Sequence, residues 1–252
     1  MTSQYQQLAE WLKTPLGQAV LTAERECIKP FWEHIRGEHL LILGNFSQAS
    51  LAEASTIKER TVLFPDVNIK FIGESSFVYA EHESLPIFPD SVDAILLPHT
   101  LGFGADSRQI LREVETALRP DGHVIIVGFN PFSFWGLRGL FSLRKKAPWS
   151  GSFLTAARVK DWLKVLSFEV IHHEQILYRP PIAQNKIFSK LKFLEKFCHN
   201  FLPVFGGVYV LVAKKKVFGI TPLRPKWKKI SRVMHKGMAE PATRVVHHEQ
   251  NS

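Results

Sequence analysis

The hydrophobic pattern changes period twice between Ser84 and Asn130, and those changes outline one βαβ unit. Ile95, Leu96 and Leu97 form an unbroken apolar run bounded by Asp90-Ser91 and Pro98, which predicts a strand buried on both faces. Ile110, Leu111, Val114 and Leu118 then recur at helical spacing, with Asp106 and Ser107 as cap residues and Pro120-Asp121-Gly122 as the stop. The segment from His123 to Gly128 supplies the next strand. Parallel strands joined in this way need a right-handed crossover. The sheet must therefore continue into a layered α/β domain that binds ligands beyond the carboxyl ends of its strands.

The remaining pattern extends this unit in both directions. Leu8, Trp11, Leu12 and Leu16, interrupted by Pro15 and Gly17, predict two short helices between Tyr5 and Arg25 that cover the sheet. Leu40 to Gly44 reads as the first core strand, Ala49 to Lys58 as a helix, and Thr61 to Phe64 and Ser76 to Ala80 as two more strands. Thr155 to Leu166 reads as a helix with Val159, Trp162, Leu163 and Leu166 inward, followed by strands at Phe168 to Ile176 and Val208 to Lys214.

Several residues of the central unit carry a resemblance. The order Leu85-Pro86-Ile87, Pro89-Asp90-Ser91-Val92-Asp93, Leu111-Arg112-Glu113-Val114 and Leu118-Arg119-Pro120-Asp121-Gly122 resembles class I S-adenosylmethionine-dependent methyltransferases of the methyltransferase type 11 kind. Trp11, Thr14-Pro15-Leu16-Gly17 and the run from Phe129 to Gly136 are similar to a small bacterial subgroup of that family. Coverage runs from about Leu40 to Lys214. The resemblance implies a Rossmann-like seven-stranded sheet with helices on both faces, its last strand inserted antiparallel between its neighbours. It also implies S-adenosylmethionine as cofactor.

Composition narrows the setting. The N-terminus MTSQYQQLAEW lacks the regions of a signal peptide, and the longest apolar runs, such as Val208 to Ala213, are too short to span a bilayer. The expectation is a cytoplasmic protein. Cys27 and Cys198 make neither a disulfide framework nor a metal site, and His172-His173 and His247-His248 lack metal-ligand spacing, so no metal is expected. No Gly-x-Ser-x-Gly nucleophile turn or phosphate loop is present.

Charge divides the chain. Residues 1–129 hold 10 Lys and Arg against 17 Asp and Glu, residues 130–213 hold 12 against 4, and residues 214–252 hold 10 against 2. An anionic partner should therefore approach the C-terminal side. The expected organisation is an N-terminal helical cover over 1–36 and a methyltransferase-like domain over 37–214. That domain carries basic lid insertions at about 131–154 and 178–206, and a basic, disordered tail occupies 215–252.

Candidate site residues follow from strand ends. Gly44-Asn45-Phe46-Ser47-Gln48 stands at the turn where the family has a glycine-rich approach to the cofactor, with one glycine where the family commonly has three. Phe46 at this turn either fills part of the cofactor pocket or rotates into the core, and Asn45 tolerates a left-handed backbone. Gly44 reads equally as an ordinary strand-ending turn. The resemblance places ribose recognition at Asp66 and adenine recognition at Glu81, with His82 beside it and Glu83 facing solvent. An exposed loop at Asp66, and a solvated loop from Glu81 to Glu83, are the competing readings. His99 follows the fourth strand, where it either takes a proton from an acceptor hydroxyl or packs as a strand-end residue. Asn130 reads as an Asx turn before Pro131 or as a substrate contact.

Two segments carry aromatic and basic residues together: Phe132 to Lys146, and Ile187 to Phe201 with its neighbouring lysines. They read as lids closing over the sheet. The alternative is a helix resting on an anionic membrane surface at the inner face, and nucleic acid ranks third. Methyl transfer to a small or lipophilic acceptor is the expected activity. The rival is a catalytically inactive relative serving as a binding or membrane-surface module, favoured by the sparse glycines and by Gly102, where similar sequences tend to carry an acidic residue.

Overall fold

A computed structural model describes residues 4–65, 76–141, 147–181 and 203–216, apart from the side chains of Phe46, Leu140, Phe141 and Pro203. Asp66, the segment from Ile187 to Phe201 and the basic tail beyond Lys216 lie outside the described residues, whereas Lys215, expected to open the tail, ends the last strand.

In chain order the elements are α1 (Gln4–Leu12), α2 (Pro15–Trp32), β1 (His39–Leu43), α3 (Phe46–Ala49), β2 (Glu59–Phe64), β3 (Ser76–Tyr79) and β4 (Val92–Pro98). There follow α4 (Thr100–Phe103), α5 (Ser107–Ala117), β5 (Leu118–Phe129), α6 (Phe134–Phe141), α7 (Ala156–Val165), β6 (Phe168–Ile176) and β7 (Val208–Lys215). The seven strands form one sheet in the order β3-β2-β1-β4-β5-β7-β6. Pairs from β3 through β5 are parallel, and β7 runs antiparallel to both β5 and β6. The inserted antiparallel strand expected from the resemblance is present.

Alternation along the strands sorts the core into two layers. Leu40 and Ile42 of β1, Leu96 of β4, Ile125 and Val127 of β5, and Val208, Val210 and Val212 of β7 pack with Leu8, Leu12, Val20, Ile28 and Trp32 of α1 and α2. Leu41, Leu43, Ile95, Leu97, Val124, Ile126 and Leu211 face the other way, onto Ile110, Leu111 and Val114 of α5 and Val159 and Leu163 of α7. Because both faces are apolar, the central strands read as continuous hydrophobic runs.

Three local expectations change. First, Pro15 begins a helix: Thr14 caps α2 by accepting from Gly17 N–H at 3.2 Å, Pro15 takes a first-turn position that needs no N–H, and the helix runs 18 residues to Trp32. Trp32 Nε1 then donates to Leu51 O at 2.8 Å, tying α2 to the β1–β2 connection. Second, the helix expected over 49–58 is only α3 and a 3₁₀ turn, Ser50–Ala52, so α1 and α2 cover that face instead. Third, Glu83 is partly buried, and its carboxylate accepts from Ala105 N–H at 2.7 Å and Asp106 N–H at 3.3 Å.

At the amino end of β4, Asp93 accepts from Glu38 N–H at 2.8 Å, His39 N–H at 3.0 Å and Arg119 at 2.9 Å. Partial burial alone pushes this carboxyl up, but the two backbone donors and the guanidinium together outweigh it and hold it below its ordinary value of 3.8. A depressed carboxyl contributes stability above the unfolded-state value and loses it as pH falls through the folded-state value. Asp93→Asn should therefore cost about 2 kcal/mol at neutral pH, as expected for hydrogen bonds to a charged group. In urea unfolding, the gap from the parent protein should close as pH falls through and below the carboxylate range.

Candidate functional site

β1 and β4 are neighbours in the sheet and end side by side, at Leu43 and Pro98. The chain leaving β1 does not form an open glycine loop. Asn45 is extended (φ −92°, ψ 167°) and caps α3 through a reciprocal box: its side chain accepts from Gln48 N–H, while Gln48 Oε1 accepts from Asn45 N–H at 3.0 Å. The left-handed backbone expected at Asn45 is absent because capping takes its place. Gln48 Nε2 donates onward to Pro98 O at 2.9 Å, and the Thr100 hydroxyl donates to Leu43 O. Glycine is required at position 44 because a Cβ there would lie 2.7 Å from Pro98 Cγ and 2.8 Å from Gln48 Oε1.

The chain leaving β4 turns sharply at His99, a non-glycine residue at φ 60°, in the left-handed region. This conformation aims the imidazole into the molecule, where it is 1% exposed. His99 Nε2 lies 2.8 Å from Oε1 of Glu24, a fully buried residue of α2. Its ring stacks on Phe129, with centroids 4.1 Å apart and planes at 18°. Phe129 in turn stacks on Phe153 at 5.2 Å and on Trp135 at 5.9 Å. Among the described residues, three buried polar atoms near these strand ends have no hydrogen-bond partner: Asn45 Nδ2, Glu24 Oε2 and His99 Nδ1.

Beyond the end of β5 lies an apolar cleft of about 770 Å³ lined by Phe132, Phe134, Leu137, Trp149, Phe153 and Phe205, among others. Phe153 also borders a narrow void of about 10 Å³ shared with His99, Gly102 and Phe129. That space holds about one oxygen-sized group. Gly102 belongs to the wall of this void: Ser152 N–H donates to its carbonyl at 2.7 Å, and a Cβ would stand 3.2 Å from Ser152 O. Glycine lets the two loops meet there.

The other residues singled out from the sequence divide clearly. Glu81 is exposed. His82 is fully buried, with Nδ1 3.0 Å from the Tyr5 hydroxyl and Nε2 3.1 Å from Leu63 O, so α1 is pinned to the end of β2 through it. Burial pushes its pKa down, against the opposing effects of the Leu63 carbonyl and Glu83, and the ring is neutral at pH 7. Asn130 is a tether: its Oδ1 accepts from Phe132 N–H, as in an Asx turn, and its Nδ2 donates to Val204 O at 2.7 Å and Gly206 O at 3.0 Å. Among the described residues no group of three or more His, Cys, Asp or Glu is arranged to hold a metal ion.

Glu24, Trp149 and Phe153 escaped the sequence reading. Glu24 had a signal: it sits four residues after Val20 and four before Ile28, on the buried stripe of α2. A carboxylate on that stripe must have a partner inside.

The unpartnered atoms fit a ligand that offers both donors and acceptors. S-adenosylmethionine offers both, through its carboxylate, ammonium and ribose hydroxyl groups. Asn45 Nδ2 supplies a donor and Glu24 Oε2 an acceptor, whereas the space above Gly44 is taken by Pro98 and Gln48.

Comparison with known proteins agrees with this architecture. The sequence pattern of a methyltransferase domain matches residues 37–126. The chain is 34% identical over 212 residues to the uncharacterized protein YafS of Escherichia coli K12, covering 84% of this chain and 82% of YafS. The fold is similar to a Thermotoga maritima S-adenosylmethionine-dependent methyltransferase, described as a possible histamine N-methyltransferase. Their TM-score is 0.60 at 20% identity, covering 78% of this chain and 89% of that one. An S-adenosylmethionine-dependent methyltransferase of Archaeoglobus fulgidus gives a TM-score of 0.53 at 14% identity, covering 76% and 94%. Family and fold are those of enzymes that use S-adenosylmethionine as cofactor. With the methyltransferase-domain pattern over residues 37–126, this strand order and the inserted antiparallel strand, this chain belongs to the class I S-adenosylmethionine-dependent methyltransferases of the methyltransferase type 11 kind.

Proposed function

We propose that the protein methylates a lipophilic acceptor bearing a hydroxyl group on a ring, taken up in the apolar cleft beyond β5. The observation that carries this reading is the cleft itself. Its walls are aromatic and aliphatic, and Phe132, Phe134, Leu137 and Phe205 are each about half exposed or more, as expected of surface kept for an apolar ligand. Phe153 is shared between the wall of that cleft and the wall of the void beside His99. An acceptor lying along the cleft with its polar end at Phe153 would bring one hydroxyl toward the void that borders the imidazole, which is large enough for an oxygen.

The roles of the chain's residues follow. The cofactor, when bound, supplies a methyl group on a positively charged sulfur, which departs as a neutral thioether. Asn45 and the strand ends at Leu43 and Pro98 hold its polar portion; the aromatic wall of the cleft orients the acceptor and excludes water. His99 takes up the hydroxyl proton, so the oxygen reacts with its electron pair free.

Isothermal titration with S-adenosylhomocysteine tests the cofactor half of this reading. Binding is expected, and Asn45→Ala should weaken it roughly tenfold, the equivalent of about 1.4 kcal/mol. No heat at millimolar ligand would leave the site without its cofactor and sustain the rival reading of an inactive binding protein.

A further inference from the structure

The buried pair of Glu24 and His99 is costly unless it serves the reaction. Both side chains are fully removed from solvent, one carboxylate oxygen and one ring nitrogen have no partner among the described residues, and the imidazole is held on a left-handed backbone. A structural ion pair would be expected to use its remaining hydrogen-bonding atoms. This pair leaves one atom open on each side.

We propose that Glu24 is the positioning residue of this site: by accepting the Nε2 proton it fixes His99 in a single tautomer and leaves Nδ1 as the lone pair that receives the acceptor's hydroxyl proton. The inference rests on the acceptor reading above and deepens it. An imidazole has one donor and one acceptor nitrogen when neutral, and which is which is set by the partner of the other nitrogen. Glu24 Oε1, 2.8 Å from Nε2, is such a partner, since an ionised carboxylate can only accept. Nδ1 is then the acceptor, and it is the nitrogen with no partner among the described residues.

The stack of Phe129 on the ring prevents the imidazole from turning its nitrogens about, and α2 holds the carboxylate in place from the far side. When the acceptor oxygen loses its proton, that proton resides on Nδ1. The imidazolium so formed is compensated by the Glu24 charge and returns the proton to water as product departs. The void beside the ring is lined mostly by apolar groups such as Leu101, Phe103 and Phe129, with Tyr209 and Ser152 as the other polar side chains described in its wall.

Nitrogen-15 spectroscopy of the full chain labelled at histidine tests the tautomer without cofactor or acceptor, the His99 signals being assigned by their loss in His99→Asn. A proton on Nε2 and an unprotonated, unbonded Nδ1 are expected. Glu24→Met should melt at or above the parent temperature, because it removes a buried, half-partnered charge, yet His99 should become a mixture of tautomers. With S-adenosylmethionine and an alkyl hydroquinone as probe, Glu24→Gln should lose roughly 10²- to 10⁴-fold in kcat with the KM for the hydroquinone within about twofold, and Glu24→Asp should recover part of the loss. A wild-type His99 protonated on Nδ1, or the same tautomer in Glu24→Met, would overturn the proposal. So would an unchanged kcat in Glu24→Gln. If the wild-type protein methylates no hydroquinone while its His99 shows the expected tautomer, it is the acceptor reading that fails.

Discussion

Trp135→Ala should lower the melting temperature by roughly 10 °C. The ring is fully buried, Nε1 donates to Arg179 O at 2.9 Å, and the Trp135 carbonyl accepts from Trp149 Nε1 at 2.9 Å. Edge contacts with Trp11 at 6.2 Å and stacking on Phe129 fasten α6 to α1 and to the end of β5. Removing a buried tryptophan costs about 3–5 kcal/mol, and each kcal/mol moves the midpoint of a domain this size by about 2–4 °C. The loss should be visible by calorimetry and should be accompanied by weaker uptake of an apolar fluorescent probe, because the wall of the cleft rests on this residue. Leu137→Ala is the contrast. Its side chain is half exposed on the cleft, so stability should change by no more than about 0.5 kcal/mol while probe binding falls.

His99→Asn should reduce methyl transfer by roughly 10²- to 10⁴-fold while leaving the fold intact. Asparagine tolerates the left-handed backbone at φ 60°, so the sharp turn after β4 survives, but its amide cannot take up a proton. Turnover should fall with little change in affinity for S-adenosylhomocysteine, since the imidazole serves the acceptor. A variant that retains full turnover would mean that positioning alone drives the reaction, as an in-line displacement on a sulfonium permits.

The elements most legible in the sequence were those whose periodicity was unopposed. Ile95 to Leu97, the stripe of α5 from Ile110 to Val114 and the run into Gly128 stand where the pattern put them, because each is buried on the side its spacing indicates, whereas Leu118, read as part of the helical stripe, opens β5. Legibility failed where tertiary partners override local preference. Pro15 and Gly17 look like breaks, yet one starts α2 and the other lies in its capped first turn. Asn45 and Gln48 look like replacements for lost glycines, yet they cap each other and brace Pro98. Glu81 is an exposed strand-end carboxylate, whereas the buried acid of the site, Glu24, comes from a helix that precedes the first strand. No spacing rule within the sheet points to it; only its place on an apolar stripe does.

The cleft was partly legible too. Phe132, Phe134 and Leu137 stood out as an aromatic and basic segment, and in the fold they line a hollow while Trp135 turns into the core. Helical geometry separates them, since residues one apart on a helix face different directions.

The most direct test is methyl transfer itself. The protein should be incubated with S-adenosylmethionine carrying an isotopic methyl group and a series of hydroquinones of rising alkyl length, with products read by mass spectrometry. The account predicts a single O-methylated product, with kcat/KM rising by up to about fourfold per added methylene until the cleft is filled. Methylation that ignores alkyl length, or none with any member of the series, would contradict it.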